Sequence, residues 1–135
     1  MFFRRNQIYM SKITAAITAV GAYVPEYVLT NEILETMVET NDEWITTRTG
    51  IKERRILKDP GKGTSFLGIK AAEDLINKSG IDPSEIDMVI MATATPDLPV
   101  ASTAAYVATQ IGATNAFSYD LQAACSSFLY GMSTA

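Results

Sequence analysis

Met88-Val89-Ile90-Met91-Ala92 is an unbroken apolar run with turn-forming residues on both sides, Asp82-Pro83-Ser84-Glu85 before it and Thr95-Pro96-Asp97-Leu98-Pro99 after it. The run is too short for a core helix, and it leaves no polar face for water. It has the pattern of a β-strand covered on both faces, which is what a parallel sheet between helices demands. The neighbouring segments fit that demand. Thr64–Ser79 places Leu67, Ala71, Ala72, Leu75 and Ile76 at helical spacing and meets Gly80 as its stop. Ser102–Ile111 reads as a helix closed by Gly112, Ala116–Leu121 as a strand, and the chain from Ser126 onward as another helix. Strands alternating with helices predict a layered α/β fold with a mostly parallel central sheet.

The N-terminal part is more broken. Ile13–Val20 alternates apolar with small or polar residues and reads as a strand ended by Gly21 and Pro25. Arg4 and Arg5 before it give a superficial likeness to a secretion signal, but Thr14 and Thr18 interrupt the apolar stretch. No run approaches the ~18 apolar residues that span a bilayer, and the expected setting is cytoplasmic. Thr30 or Asn31 can cap a short helix through Val38. Thr40-Asn41-Asp42-Glu43 fits a capping box that opens a second helix ending near Gly50. Ile51–Ile56 reads as one strand of a hairpin, with Asp59-Pro60-Gly61-Lys62-Gly63 as a turn. The last helix carries Phe128, Leu129 and Met132 on what should be a buried face, with no Gly, Pro or basic last turn before Ala135, so the chain is expected to be cut within it.

Composition narrows the chemistry. Eleven Lys and Arg stand against 15 Asp and Glu, a net charge of −4, which speaks against a general nucleic-acid binder. One cysteine excludes an intrachain disulfide framework, and the absence of histidine removes both imidazole metal sites and the commonest general base. No metal site is expected. Charge is also segregated. Pro25–Thr47 holds acids and no base, while Arg48–Lys62 holds Arg48, Lys52, Arg54, Arg55, Lys58 and Lys62 against Glu53 and Asp59. That basic stretch is either a solvated loop or a docking site for an anionic partner.

Cys125 lies in Asp120-Leu121-Gln122-Ala123-Ala124-Cys125-Ser126-Ser127-Phe128, where a strand hands over to a helix. Small neighbours let the backbone turn sharply, and a helix N-terminus offers free N–H groups to a thiolate and to a developing oxyanion. That is the logic of a nucleophile elbow with sulfur in place of oxygen. The same pattern suits an inert, buried small hydrophobe or a redox-active thiol. Trp44 and Arg48, four apart, share one helix face; they could grip a flat anionic ligand, or Trp44 could fill the core while Arg48 pairs with Glu43.

Four separated motifs resemble one family. Asn41-Asp42-Glu43-Trp44-Ile45-Thr46-Thr47-Arg48-Thr49-Gly50-Ile51, followed by Glu53-Arg54-Arg55, is similar to the signature of β-ketoacyl-acyl-carrier-protein synthase III. Asp120-Leu121-Gln122-Ala123-Ala124-Cys125-Ser126 resembles its nucleophile motif, and Gly21-Ala22-Tyr23-Val24-Pro25 and Ala92-Thr93-Ala94-Thr95-Pro96-Asp97 fit in the expected order. The resemblance implies the N-terminal half of a thiolase-like fold, layered α/β/α/β/α, over residues 12–135, with 1–11 as an extension and the chain ending just after the nucleophile.

The resemblance also implies an initiating condensing enzyme of fatty acid synthesis, an acyltransferase that joins an acyl-CoA primer to malonyl-acyl carrier protein. Cys125 would be its nucleophile, Trp44, Arg48 and Thr40 would hold coenzyme A at the entrance, and Val100 would be the acyl-pocket wall residue, standing where some members carry a Phe that the neighbouring subunit inserts. No cofactor is implied, because coenzyme A and the carrier protein are substrates. The family's catalytic His and Asn, and a homodimer partner, would complete the site from outside these residues. Nucleic acid and membrane are not expected partners. The alternatives are another acyl-CoA condensing enzyme of the same fold, such as a hydroxymethylglutaryl-CoA or olefin-type synthase, and a non-catalytic acyl-CoA or carrier-protein binding module.

Overall fold

The period-two alternation along Met88–Ala92 decides the layering. A computed structural model of the protein describes residues 15–135. In it β3 (Met88–Ala92) and β4 (Phe117–Leu121) pair in parallel, with Met88 opposite Phe117 and Ala92 opposite Leu121. Met91 and Val89 point to one face, where α3 (Thr64–Ser79) and α4 (Thr103–Gln110) cover them with Leu75, Val107 and Ile111. Gly68 of α3 makes that packing close: a Cβ there would meet the Met91 methyl at 2.5 Å. Ile90 points to the other face, where α5 (Ser127–Thr134) crosses it at Gly131. Helices therefore lie on both sides of the parallel pair.

A second unit precedes this one. β1 (Tyr27–Thr30) and β2 (Glu53–Ile56) pair antiparallel, Tyr27 with Ile56 and Thr30 with Glu53. Between them run α1 (Asn31–Glu35) and α2 (Asp42–Thr49), so β1 and β2 close around two helices instead of a tight hairpin turn. Thr30 caps α1 by accepting from the Ile33 N–H, and Asn41 caps α2 by accepting from the Trp44 N–H at 2.8 Å. The expected box partner Glu43 plays no part; Glu35 accepts the Asp42 N–H at 2.6 Å and ties the two helices together. Gly50, at φ 71°, is the left-handed stop of α2 that other residues adopt only with strain.

Two expectations need correction. The strand expected over Ile13–Val20 is not formed in its described part: residues 15–26 carry no ladder, and what lies beside them is a helix, whose backbone groups are already paired within it. Instead this extended segment runs along α3, where the Ala22 N–H donates to Asp74 at 2.9 Å and Gly21 sits so near Ala71 and Leu75 that a Cβ would strike their backbone. Met88–Met91 is half-buried, not sealed on both faces, since α5 covers only part of the second face. On α5, Ser127 and Gly131 make the buried contact, and Phe128 (67% exposed), Leu129 and Met132 have no cover among the described residues, in line with a helix whose apolar face nothing in the chain fills. The segment 1–11 and the Arg4-Arg5 pair lie outside the described residues. Among the described residues no helix is long and apolar enough to cross a membrane.

Candidate functional site

One buried amide organises the N-terminal unit. Asn31 is 2% exposed. Its Nδ2 donates to Asp42 Oδ1 at 2.7 Å and to the Ile51 carbonyl at 2.8 Å, with Thr46 Oγ1 a longer third partner at 3.4 Å. Its Oδ1 accepts from the Arg54 guanidinium at 2.5 Å. Four separate segments are thus pinned through one side chain. The bond from Asn31, with help from Thr46 and nearby Lys52, holds the Asp42 carboxyl below the usual carboxylate range. Ile45 faces inward from α2 and is buried.

With Asp42, Ile45 and Thr46 turned inward, Trp44 and Arg48 are left on the outer face of α2. Trp44 is 51% exposed and fills no core among the described residues. The Arg48 guanidinium carbon lies 4.6 Å from the Trp44 ring centre, so the pair stacks as a cation on an aromatic face. Beside them Glu39, Thr40, Asn41 and Trp44 line a recess of about 310 Å³. The structure therefore brings Thr40, Trp44 and Arg48 together. Thr40 and Trp44 line the hollow and Arg48 stands on the Trp44 ring beside it, so a flat face, a cation and a hydroxyl are neighbours on one surface.

Cys125 sits in the other unit, in a short turn, Ala124–Ser126, between β4 and α5. The thiol is free and exposed. Ala124 immediately before it has φ 45°, a left-handed value that costs a non-glycine residue of order 1–3 kcal/mol. The surroundings hold this strain in place: the Ala123 N–H donates to the Ser127 hydroxyl at 2.7 Å, Ser127 is buried, and the Ser126 N–H donates to the Ala123 carbonyl at 3.0 Å. The Thr93 N–H donates to the Leu121 carbonyl and fixes the end of β4. The sharp turn presents the sulfur outward at the start of α5. The recess beside Trp44 does not include Cys125.

Val100 is 98% exposed at the tip of the loop that leads into α4. The loop beneath it is firmly anchored. Asp97 accepts from the Ser65 N–H at the start of α3 and donates its own N–H to Thr103 Oγ1 at 3.2 Å. Thr64 Oγ1 donates to the Thr95 carbonyl at 2.6 Å, and Gly63 leaves the space Asp97 occupies. Asp120 of β4 accepts from the Thr103 N–H at 2.8 Å, the Ala104 N–H at 2.7 Å and the Ser102 hydroxyl at 3.2 Å.

Most of the basic stretch is occupied locally. Arg54 serves Asn31, Arg55 pairs with Glu53, and Lys62 pairs with Asp59 at 2.6 Å, while Lys58 lies over the Tyr27 ring. Sequence reasoning missed Asn31, Arg54, Asp97 and Asp120. Only Asp120 carried a signal, as a lone acid in a buried strand five residues before the cysteine. Among the described residues no three of His, Cys, Asp and Glu gather as a metal site.

Comparison with known proteins fixes the lineage. No family model matches the chain. The β-ketoacyl-[acyl-carrier-protein] synthase III of Porphyromonas gingivalis ATCC 33277 is 59% identical over 123 residues, covering 91% of this chain and 37% of that protein. The chain belongs to the β-ketoacyl-acyl-carrier-protein synthase III family. A synthase III of Bacteroides thetaiotaomicron is 56% identical over 126 residues, again at 93% of this chain and 38% of the relative. The chain thus spans little more than a third of its synthase III relatives. The crystal structure of the Thermus thermophilus synthase III matches at 47% identity and TM-score 0.82, over 90% of this chain and 37% of that one. The Aquifex aeolicus enzyme gives 43% identity and TM-score 0.82, over 87% and 37%. The two-sided β3–β4 sheet is accordingly the N-terminal part of a thiolase-like fold. OleA of Xanthomonas campestris, in a histidine-to-alanine variant form, at 21% identity and TM-score 0.74, shares the fold alone, over 87% of this chain and 37% of that one.

Proposed function

We propose that these residues supply the nucleophile and the substrate entrance of an initiating condensing enzyme of fatty acid synthesis. The observation that carries this reading is the exposed Cys125 thiol on a strained elbow in a synthase III chain. Its thiolate attacks the carbonyl carbon of an acyl-CoA thioester. The bond to the coenzyme A sulfur breaks, and that sulfur leaves and takes up a proton. Malonyl-acyl carrier protein then loses CO₂, and the electron pair freed from the broken C–C bond attacks the acyl-enzyme carbonyl. The Cys125 sulfur leaves, giving 3-ketoacyl-acyl carrier protein. Sulfur suits both steps, being nucleophilic as a thiolate and leaving the acyl group activated as a thioester.

The Trp44–Arg48 stack and the Thr40 recess hold the nucleotide end of coenzyme A, and Val100 bounds the acyl pocket of the neighbouring subunit. Val is smaller than the Phe of some members, which favours primers longer or more branched than acetyl. The His and Asn that promote decarboxylation in the family come from outside these residues, the active form is a homodimer, and the setting is the cytoplasm. No cofactor takes part. The test uses the complete protein that carries this chain, with an acyl-CoA primer and malonyl-acyl carrier protein. A 3-ketoacyl product lost on Cys125→Ala supports the reading; product that persists in that variant overturns it.

A further inference from the structure

Thr30 already caps α1 through the Ile33 N–H, which leaves the Asn31 side chain free for another task. Its backbone extends the β1–β2 pairing by one step, the Asn31 N–H donating to the Lys52 carbonyl at 3.2 Å. From that corner the buried amide reaches α2. Nδ2 donates to Asp42 Oδ1 and to the Ile51 carbonyl, while Oδ1 accepts from Arg54 of β2. Asp42 also accepts from the Thr46 hydroxyl at 3.0 Å, so the edge of α2 that is held is the Asp42–Thr46 edge. An α-helix takes about 3.6 residues per turn, so Trp44 and Arg48, two positions on from Asp42 and Thr46, stand about half a turn away on the opposite edge.

Among the described residues no carboxylate pairs with Arg48, and its guanidinium rests on the Trp44 ring. The backbone of α2 therefore decides where the stack stands. Ile45 gives that helix a buried apolar contact, but apolar burial has no preferred direction. Hydrogen bonds do, and two of them fix the helix start. One comes from the Asn31 amide, and the other is the Asp42 N–H donated to Glu35, which closes the α1–α2 connection beside the Thr40 recess. We propose that Asn31 is a positioning residue that fixes the rotation of α2 against β2, and so sets where the Trp44–Arg48 stack meets the nucleotide end of coenzyme A. This rests on the reading of Trp44 and Arg48 as the coenzyme A grip.

Asn31→Asp keeps the shape of the side chain but turns the donor that faces Asp42 and the Ile51 carbonyl into an acceptor. In the complete protein, with malonyl-acyl carrier protein saturating, kcat and KM are measured for an acyl-CoA. The same is done as kcat/KM for the matching S-acyl-pantetheine, which has the thioester and no nucleotide. KM for the acyl-CoA should rise by about fivefold or more, within the roughly hundredfold that a 1 Å misplacement can cause. The acyl-CoA kcat and the pantetheine kcat/KM should both stay within about twofold of the parent. Equal losses on the two thioesters, or an unchanged acyl-CoA KM, overturn the proposal and leave Asn31 a structural tie. Should Asn31→Asp not fold, Asp42→Ala cuts the same tie from its exposed end, and the same readouts decide. Failure of the underlying reading looks different, because Trp44→Ala would then leave the acyl-CoA KM unchanged. A Trp44→Ala effect without an Asn31→Asp effect sinks the positioning role alone.

Discussion

At Cys125 the geometry is set by a neighbour with no chemistry of its own. Ala124 holds φ 45° so that the chain can leave β4, expose the sulfur and enter α5 in the short connection between Leu121 and Ser127. Glycine adopts that conformation freely, so Ala124→Gly should leave thermal stability equal or slightly raised, with Cys125 alkylated as fast as before. A β-branched residue there meets the full penalty, and Ala124→Val should lower stability by about 1–3 kcal/mol and slow the alkylation. Equal behaviour of the two variants would show that the turn is not strained. Trp44 gives a second test at this scale. It is half out of the protein, so Trp44→Ala should cost little stability. Stacking on an aromatic face contributes about 1–3 kcal/mol per base, so KM for acyl-CoA should rise by about tenfold. An unchanged KM with a lowered melting temperature would make Trp44 structural.

Among the elements, α2 depends on a residue outside it. Asn31→Ala would remove at one stroke the bonds that its buried amide makes to Asp42, the Ile51 carbonyl and Arg54. Thermal unfolding should register a lowered melting temperature, and an unchanged one would show that the hub does not hold α2. The same hub has a pH signature. Asp42 is held below its ordinary range first by Asn31, so the unfolded chain takes up the proton more readily than the folded one. Its contribution is fully present above about pH 4 and is lost as pH falls through the lowered folded value. The stability difference between parent and Asp42→Asn should therefore be constant near neutrality and shrink on acidification; a difference that grows would contradict the assignment.

The sequence made α3 legible to the residue, from Thr64 to the Gly80 stop, because its apolar spacing and its terminator agree. It made Met88–Ala92 legible as a strand for the same reason. It did not reveal β1, since Tyr27-Val28-Leu29-Thr30 has no distinctive alternation and exists only because β2 returns beside it. The Asn31 hub was hidden because a lone Asn at a helix start reads as a cap. The Asp97 and Asp120 ties were hidden because they join residues 32 and 17 positions apart.

For the molecule as a whole, the described surface leaves many large apolar side chains open. Phe128, Leu129, Tyr130 and Met132 project from α5, and Ile17, Val20 and Val24 from the segment along α3. Residues 1–135 on their own should self-associate or precipitate at micromolar concentration, as sedimentation velocity would show. A cooperative, compact monomer would mean that these faces need no cover. The central claim is that Cys125 carries the acyl group, and intact mass spectrometry tests it most directly. The complete protein, mixed with an acyl-CoA and no malonyl-acyl carrier protein, should gain the mass of one acyl group per chain, lose it when the malonyl substrate is added, and show no gain as Cys125→Ala. An acyl adduct that survives in Cys125→Ala, or a parent protein that never acquires one, would contradict the account.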